Sequence, residues 1–266
     1  MSKPIFRWMC LLFPVLVVAC APRFLRISGV YQAVGVALFL GFCLLIWAQA
    51  KTIWATNPQR VVAGVLLMLP WAIFALFWVG LGPPWLSTLP ENVMRYAVLL
   101  MASAAIYLGF SGLLHQLPKQ PAGVDWVPYC KALINLASAG YMVWCCFQLG
   151  FFVNWIREGD VSADLKFLNN VMDSLLFADC LMTYAATLLL LVLLAQHRWV
   201  RPRFSFIFGG ICTVALIALA LRGFSFPHPG SEPWYLQPGF VVGIPAVPWL
   251  IPYWIGAACL KPFSSD

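Results

Sequence analysis

Long apolar runs separated by short polar connections make up most of the chain. The runs are continuous rather than alternating, so they predict helices and exclude the strand pattern of a barrel. A helix needs about 20 mostly apolar residues to cross a bilayer. We therefore predict an all-α, polytopic transmembrane helix bundle of about eight spans. The predicted spans cover approximately residues 6–21, 28–50, 61–81, 93–114, 126–153, 171–196, 204–221 and 239–260.

The connections between these runs are too short to hold a soluble domain. Two examples are K-T-I-W-A-T-N-P-Q-R at 51–60 and R-E-G-D-V-S-A-D-L-K at 157–166. Residues 1–266 are therefore predicted to form a single integral membrane domain. The last run contains three prolines, each of which removes an amide donor from its helix, so we expect that span to be bent or broken.

The first apolar run admits two interpretations. It is short, has Arg7 near its start and Pro14 in its middle, and ends in V-V-A-C-A at 17–21, which resembles a lipobox with Cys20 as the lipidated residue. The simpler interpretation is a retained short span. The alternative is a cleaved signal segment, which would leave seven spans in the same orientation.

Composition agrees with a bilayer as the main solvent. Only 9% of the residues are charged, whereas soluble domains carry about 25%. The formal charge of +7 is scattered along the chain and flanks apolar runs, which argues against nucleic-acid binding. Most cysteines lie inside apolar runs, no C-x-x-C occurs, and none of the three histidines falls in mid-span, so we predict no metal site and no cofactor.

The distribution of lysine and arginine predicts that both termini are cytoplasmic. With eight spans, nine basic residues fall on the inner side and five on the outer side, and basic loops mark the cytoplasmic face. The signal-like start and the compact loops favour a bacterial inner (plasma) membrane. The inner set is Lys3, Arg7, Lys51, Arg60, Lys119, Arg198, Arg201, Arg203 and Lys261, and the outer set is Arg23, Arg26, Arg157, Lys166 and Arg222.

The segment L-N-N-V-M-D-S-L-L-F-A-D-C (168–180) places two aspartates at the start of a very apolar run. An ionisable group in hydrocarbon costs at least a few kcal/mol, so it normally faces protein or water. At about 100° per residue, Asp173 and Asp179 bound a polar sector about 120° wide. This geometry predicts a helix that turns one polar face toward the interior of the bundle.

Depth in the membrane determines which residues of other helices can contact these aspartates. Asp173 is predicted near the outer surface and Asp179 roughly 9 Å deeper. We predict an outward-facing polar pocket in which Asp179 and Asp173 are the catalytic acids. The predicted substrate-binding residues are Arg95, Arg222, Asn169, Asn170 and Tyr184. Two simpler readings stay open, namely an Asp173 that only reaches water and a structural Arg95–Asp179 pair.

Three classes of function remain open at this point. The favoured one is binding or chemical modification of a lipid- or isoprenoid-like apolar substrate, with Asp179 as a buried acid that keeps its proton. The second is a small proton-coupled transporter in which Asp179 carries the proton. The third is a non-catalytic membrane assembly or structural subunit. The expected partners are the lipid bilayer and an apolar small molecule; homo- and hetero-oligomers both stay open.

Two short motifs carry little weight. Residues 109–112, G-F-S-G, are similar to the G-x-S-G of rhomboid intramembrane proteases, but His197 and His228 lie at or outside span ends and supply no base. We interpret these glycines as small-residue helix packing. The pattern N-N-x-x-D at 169–173 resembles the diphosphate–magnesium motif of membrane prenyltransferases, but the chain has no second Asp-rich segment.

Overall fold

The computed structural model describes residues 8–9, 12–13, 30–74, 87–118, 125–158, 163–224, 243 and 247–260. These residues are helical or lie in turns, and none of them forms a strand. From Val30 onward, the described residues form seven α-helices, and a 3-10 turn at Val247–Trp249 directly precedes the last. The helices are α1 (Val30–Trp54), α2 (Pro58–Phe74), α3 (Leu89–Gln116), α4 (Val127–Glu158), α5 (Ala163–Gln196), α6 (Pro202–Phe224) and α7 (Leu250–Cys259).

The absence of strands among the described residues confirms the predicted all-α class. Several of these helices could also cross a membrane. Four stretches are long and apolar enough by length and composition: Leu89–Gln116, Val127–Phe152, Phe167–Gln196 and Pro202–Leu221. Three shorter apolar helices accompany them at Phe39–Lys51, Pro58–Phe74 and Val247–Cys259. The total of about eight spans stays a prediction, and most of the first predicted span lies outside the described residues.

The short helix α7 occupies the interior of the bundle. It packs against α2, while Gln49 Nε2 on α1 donates a hydrogen bond to the Leu260 carbonyl oxygen at 3.1 Å. On another side, the Trp254 ring lies 5.1 Å from the ring of Phe208 on α6. Seven of its ten residues are buried. A helix of ten residues is about 15 Å long, which is half the hydrocarbon thickness.

Glycines allow α2 to approach both α3 and α7 closely. A Cβ atom on Gly109 would stand 2.8 Å from the Leu67 side chain and 3.0 Å from its backbone nitrogen. On the other side of α2, a Cβ on Gly256 would overlap the carbonyl oxygen of Gly64. Close approach of backbones increases van der Waals contact between membrane helices. The interpretation of the G-F-S-G segment as helix packing is therefore confirmed.

Apolar side chains cover the outside of the bundle, and several polar ones lie inside it. Phe206 on α6 is 83% exposed, and large apolar residues are exposed on every helix from α1 to α6. In contrast, Arg95, Asp179 and Thr183 are buried. Water would favour the reverse arrangement, because large exposed apolar patches are unfavourable there. The distribution indicates a membrane-embedded protein.

Basic side chains collect at one end of the bundle. Lys51 lies in the last turn of α1 and Arg60 in the first turn of α2, and Arg198, Arg201 and Arg203 surround the turn between α5 and α6. The guanidinium carbon of Arg60 lies 5.4 Å above the Trp199 ring, so these segments meet in space. We call this end the basic end, and we call the end that holds the beginnings of α3 and α5 the opposite end.

The Gly64–Gly256 contact predicts a strong size limit at position 256. Gly256→Ala should destabilise the detergent-solubilised protein by about 1–3 kcal/mol, because the added methyl group must push α7 away from α2. A fall in the thermal unfolding midpoint would measure this effect. Gly210→Ala on α6 is the matched control, since a Cβ at that position meets nothing within 4 Å. Equal midpoints for the two variants would contradict the proposed close contact.

Candidate functional site

A series of polar contacts joins α4 to α5 along their length. The contacts run in antiparallel order, with early residues of α4 meeting late residues of α5, and we call this interface the α4–α5 seam. They are Cys130 Sγ to the Ala186 carbonyl oxygen at 3.3 Å, Tyr141 Oη to Cys180 Sγ at 3.4 Å, and Gln148 Nε2 to Asn169 Oδ1 at 3.0 Å. Interhelical polar contacts of this kind fix which faces of two membrane helices meet.

Asp179 lies in the middle of the α4–α5 seam, and its side chain is 0% exposed. Neither carboxyl oxygen has a hydrogen-bond partner among the described residues. Directly opposite on α4 lies Gly140, where a Cβ atom would overlap the Asp179 carboxyl group. The carboxyl group therefore points at the backbone of α4 rather than at lipid. Gly140 provides the space that it occupies.

Two side chains of α4 lie near the Asp179 carboxyl group. Tyr141 and Cys145 on α4 lie close enough for electrostatic interaction with it. The Thr183 hydroxyl donates to the backbone carbonyl of Asp179 at 2.7 Å and not to its carboxyl group. Arg95 does not pair with Asp179 in the described structure, because both oxygens of that carboxyl lack a partner.

Arg95 is buried at the opposite end of the bundle. It is 1% exposed, and its two terminal nitrogens donate to Asn92 Oδ1 at 3.1 Å and to Ser87 Oγ at 2.9 Å. The adjacent Tyr96 packs edge-on against Trp144, with ring centroids 5.3 Å apart. Helix α3 therefore packs against α4 beside the α4–α5 seam.

Asp173 occupies a different environment from Asp179, although both belong to α5. Its side chain is exposed, and Asn169 Nδ2 donates to Asp173 Oδ2 at 3.3 Å. The same Asn169 accepts from Gln148, which ties this surface group to α4. Asn170 is also exposed, and its backbone carbonyl accepts from Ser174 Oγ at 3.0 Å. The structure thus joins Asn169 to Asp173 near the surface, whereas the contact of Asn170 is with Ser174.

The remaining predicted site residues lie elsewhere. Tyr184 is buried five residues beyond Asp179 and lies within electrostatic range of Cys180 and of Cys212 on α6. Arg222 belongs to the last turn of α6, and its side chain lies outside the described residues. The predicted residues therefore fall at two depths, one exposed and one enclosed. Gly140, Gln148 and Tyr96 complete the site and were not predicted.

A groove of about 300 Å³ opens between α2 and α3 toward the basic end, away from the aspartates. No predicted site residue lines it. Its walls are Pro58, Gln59, Val62, Ala63, Leu66, Leu108, Gly112, His115 and Gln116. Within the described ranges, no three His, Cys, Asp or Glu side chains gather as a metal ion requires.

The contact between Gly140 and Asp179 predicts that the two positions are coupled. Gly140→Ala should lower the thermal unfolding midpoint by an amount equivalent to about 1–3 kcal/mol, because its methyl group needs the volume of the carboxyl group. Gly150→Ala serves as the control in the same helix, since a Cβ there meets nothing within 4 Å. In the Asp179→Ala background, Gly140→Ala should cost no more than Gly150→Ala. Additive effects would contradict the contact.

Comparison with protein-family models, with curated proteins and with solved structures finds no match to this chain.

Proposed function

We propose that the protein is a small proton-coupled membrane transporter in which Asp179 binds and releases the coupled proton. One observation carries this proposal: a fully buried carboxyl group in the α4–α5 seam with no hydrogen-bond partner among the described residues. Acidic side chains inside membrane helices are typical of proton relays and carriers. We favour transport over substrate modification because the helices of the bundle enclose Asp179.

The energetics of burial link the proton to the conformation. An isolated carboxylate in a medium of low dielectric is far less stable than a protonated carboxyl group. A closed α4–α5 seam therefore favours the protonated Asp179. Loss of the proton favours any arrangement that hydrates the carboxylate, which requires α4 and α5 to separate near Gly140. Proton release and helix movement are thus thermodynamically coupled, as coupled transport requires.

A purely structural role explains Asp179 less well. A structural aspartate contributes through a hydrogen bond or an ion pair, and within the described residues its oxygens make neither. A buried polar group without a partner costs roughly 1–3 kcal/mol of stability. An apolar side chain such as leucine at this position would avoid that cost. A side chain that costs stability and makes no bond is best explained by the proton that it carries.

Binding or modification of a lipid- or isoprenoid-like substrate is the second candidate function. The observation in its favour is a group of aromatic rings beside Asp173, in which Tyr96 lies 5.3 Å from Trp144 and 5.5 Å from Phe152. Aromatic faces stabilise cationic groups and intermediates. These three side chains are buried against one another, so a substrate would have to separate them. Transport requires no such separation of the rings.

The orientation completes the proposal. Basic residues favour the cytoplasmic side of a membrane, so we place the basic end in the cytoplasm of a bacterial cell. Asp173 and the beginning of α5 then face the non-cytoplasmic side. A proton that enters the protein from that side meets Asp173 first and Asp179 about 9 Å deeper.

The Asp179→Asn variant tests the proposal. Because Asn has nearly the same volume, the variant should accumulate in membranes and keep a thermal midpoint at or above that of the wild type. It should lose the infrared carbonyl stretch of a protonated carboxylic acid near neutral pH. In vesicles that hold a pH gradient, solutes from a panel that dissipate the gradient with wild-type protein should have no effect with the variant.

Asp125→Asn at the exposed start of α4 is the matched control, because Asn can still accept the hydrogen bond that Asp125 Oδ1 receives from the Val127 amide at 3.0 Å. It should retain the infrared band and any solute-dependent proton movement. A wild-type spectrum without the protonated carboxyl band would refute the proposal. Unchanged proton movement in Asp179→Asn would refute it equally.

A further inference from the structure

We propose that an anionic phospholipid binds at the basic end, with its headgroup on the turn between α5 and α6 and an acyl chain along α6. The turn comprises residues 197–203, H-R-W-V-R-P-R, and we call it the cationic turn. This inference does not depend on the proton-binding role of Asp179. It assigns a ligand to a surface that the proposed function leaves unused.

Three arginines of the cationic turn lie on the surface of the protein. The side chains of Arg198, Arg201 and Arg203 are all exposed. Residues 180–231 contain no Asp or Glu, so the turn and the halves of the helices beside it supply no counter-charge. The three guanidinium groups therefore form a positive surface that suits an anionic ligand.

The backbone of the cationic turn holds Arg198 in a conformation that favours glycine. Its φ is 57°, and the amides of Arg198 and Trp199 donate to the carbonyl oxygens of Ala195 and Leu194 at 3.0 and 2.8 Å. This is the Schellman ending of a helix, in which glycine is the usual residue because it has no Cβ atom. Packing of Trp199 under the buried Arg60 guanidinium holds the turn in place. Because arginine makes this turn less stable than glycine would, we attribute its presence to the ligand that its side chain binds.

An exposed apolar face of α6 continues directly from the cationic turn. Arg203 lies in the first turn of α6. At about 100° per residue, three apolar residues project within about 60° of it, namely Phe206, Val214 and Leu221. These three side chains are exposed, and of the four long apolar stretches the one in α6 is the least buried. Positive charge at the start of the helix and an apolar face along it match the two parts of a phospholipid.

A phospholipid fits this surface better than a protein partner does. Copies of the chain insert in one orientation, so a two-fold contact of α6 with α6 would bring two cationic turns together, and like charges repel. An acidic segment of a soluble protein would neutralise the arginines but leave the apolar face uncovered. An anionic phospholipid supplies both a negative headgroup and acyl chains, and basic clusters beside membrane helices attract such headgroups.

Lipid titration of the full-length protein in a neutral detergent tests the inference. Phosphatidylglycerol or phosphatidylcholine is added, and the thermal unfolding midpoint is measured as a function of lipid concentration. A ligand that binds only the folded state raises this midpoint, so phosphatidylglycerol should act at lower concentration than the neutral lipid. Arg198→Gly should need about fivefold more phosphatidylglycerol for the same rise, since one basic residue near an anionic surface contributes roughly that factor. Its midpoint without lipid should equal or exceed that of the wild type, because glycine relieves the turn.

Lys131→Gln is the matched control, because Lys131 is an exposed cation near the start of α4, also at the basic end but outside the cationic turn. It should leave the phosphatidylglycerol dependence unchanged. Arg201→Gln leaves the backbone at Arg198 intact and should show the same fivefold loss, so it decides the result if Arg198→Gly lowers the lipid-free midpoint.

Three outcomes would overturn the inference. Equal losses in Lys131→Gln and Arg201→Gln would indicate diffuse surface charge instead of a site. An equal response to both lipids would exclude recognition of an anionic headgroup. The same response to soluble glycerol phosphate would show that the acyl chain contributes nothing. Each of these outcomes leaves the proposed role of Asp179 unaffected.

Discussion

The seating of one carboxyl group against one glycine is the constraint on which this bundle depends most. Asp179 fits into the α4–α5 seam only because residue 140 has no side chain. A larger residue on α4 would separate the helices, and a charged carboxylate would draw water between them. In the proposed transporter, the closed seam therefore requires both a glycine on one helix and a proton on the other. Both requirements concern the same contact, between Gly140 and the Asp179 carboxyl group.

Packing in the rest of the fold stabilises that contact. Tyr141 and Cys180, the residues that follow Gly140 and Asp179, bond to each other and so keep the two helices in register. Tyr141 also packs edge-on against Trp249, with ring centroids 5.2 Å apart, which anchors the turn before α7 to α4. The ten-residue helix α7 thus helps to fill the centre of the bundle. An unfavourable buried group is held in place by the aromatic and apolar packing around it.

The sequence predicted the helices better than it predicted the contacts between them. The apolar run at 171–196 located α5, but that helix begins eight residues earlier, at Ala163, because polar residues can continue a helix beyond the hydrocarbon. Of the run predicted to span at 239–260, the structure describes residue 243, a 3-10 turn and a ten-residue helix, and the predicted span stays a prediction. Gly140 escaped prediction because helical periodicity orders the residues of one helix and does not pair residues of two. Arg95 was expected in a shared pocket, whereas Asn92, one turn away, binds it locally.

Asp173 and Asp179 show how far residue type alone falls short of function. The two side chains are chemically identical and belong to the same helix, but one reaches the surface and the other faces a glycine. Their difference arises from α3 and α4, which leave Asp173 uncovered and close over Asp179. A displacement of α4 that uncovers Asp179 would make the two environments alike. In the proposed transporter, movement of α4 away from Asp179 would expose both carboxyl groups to water and so link protonation to the conformation of the bundle.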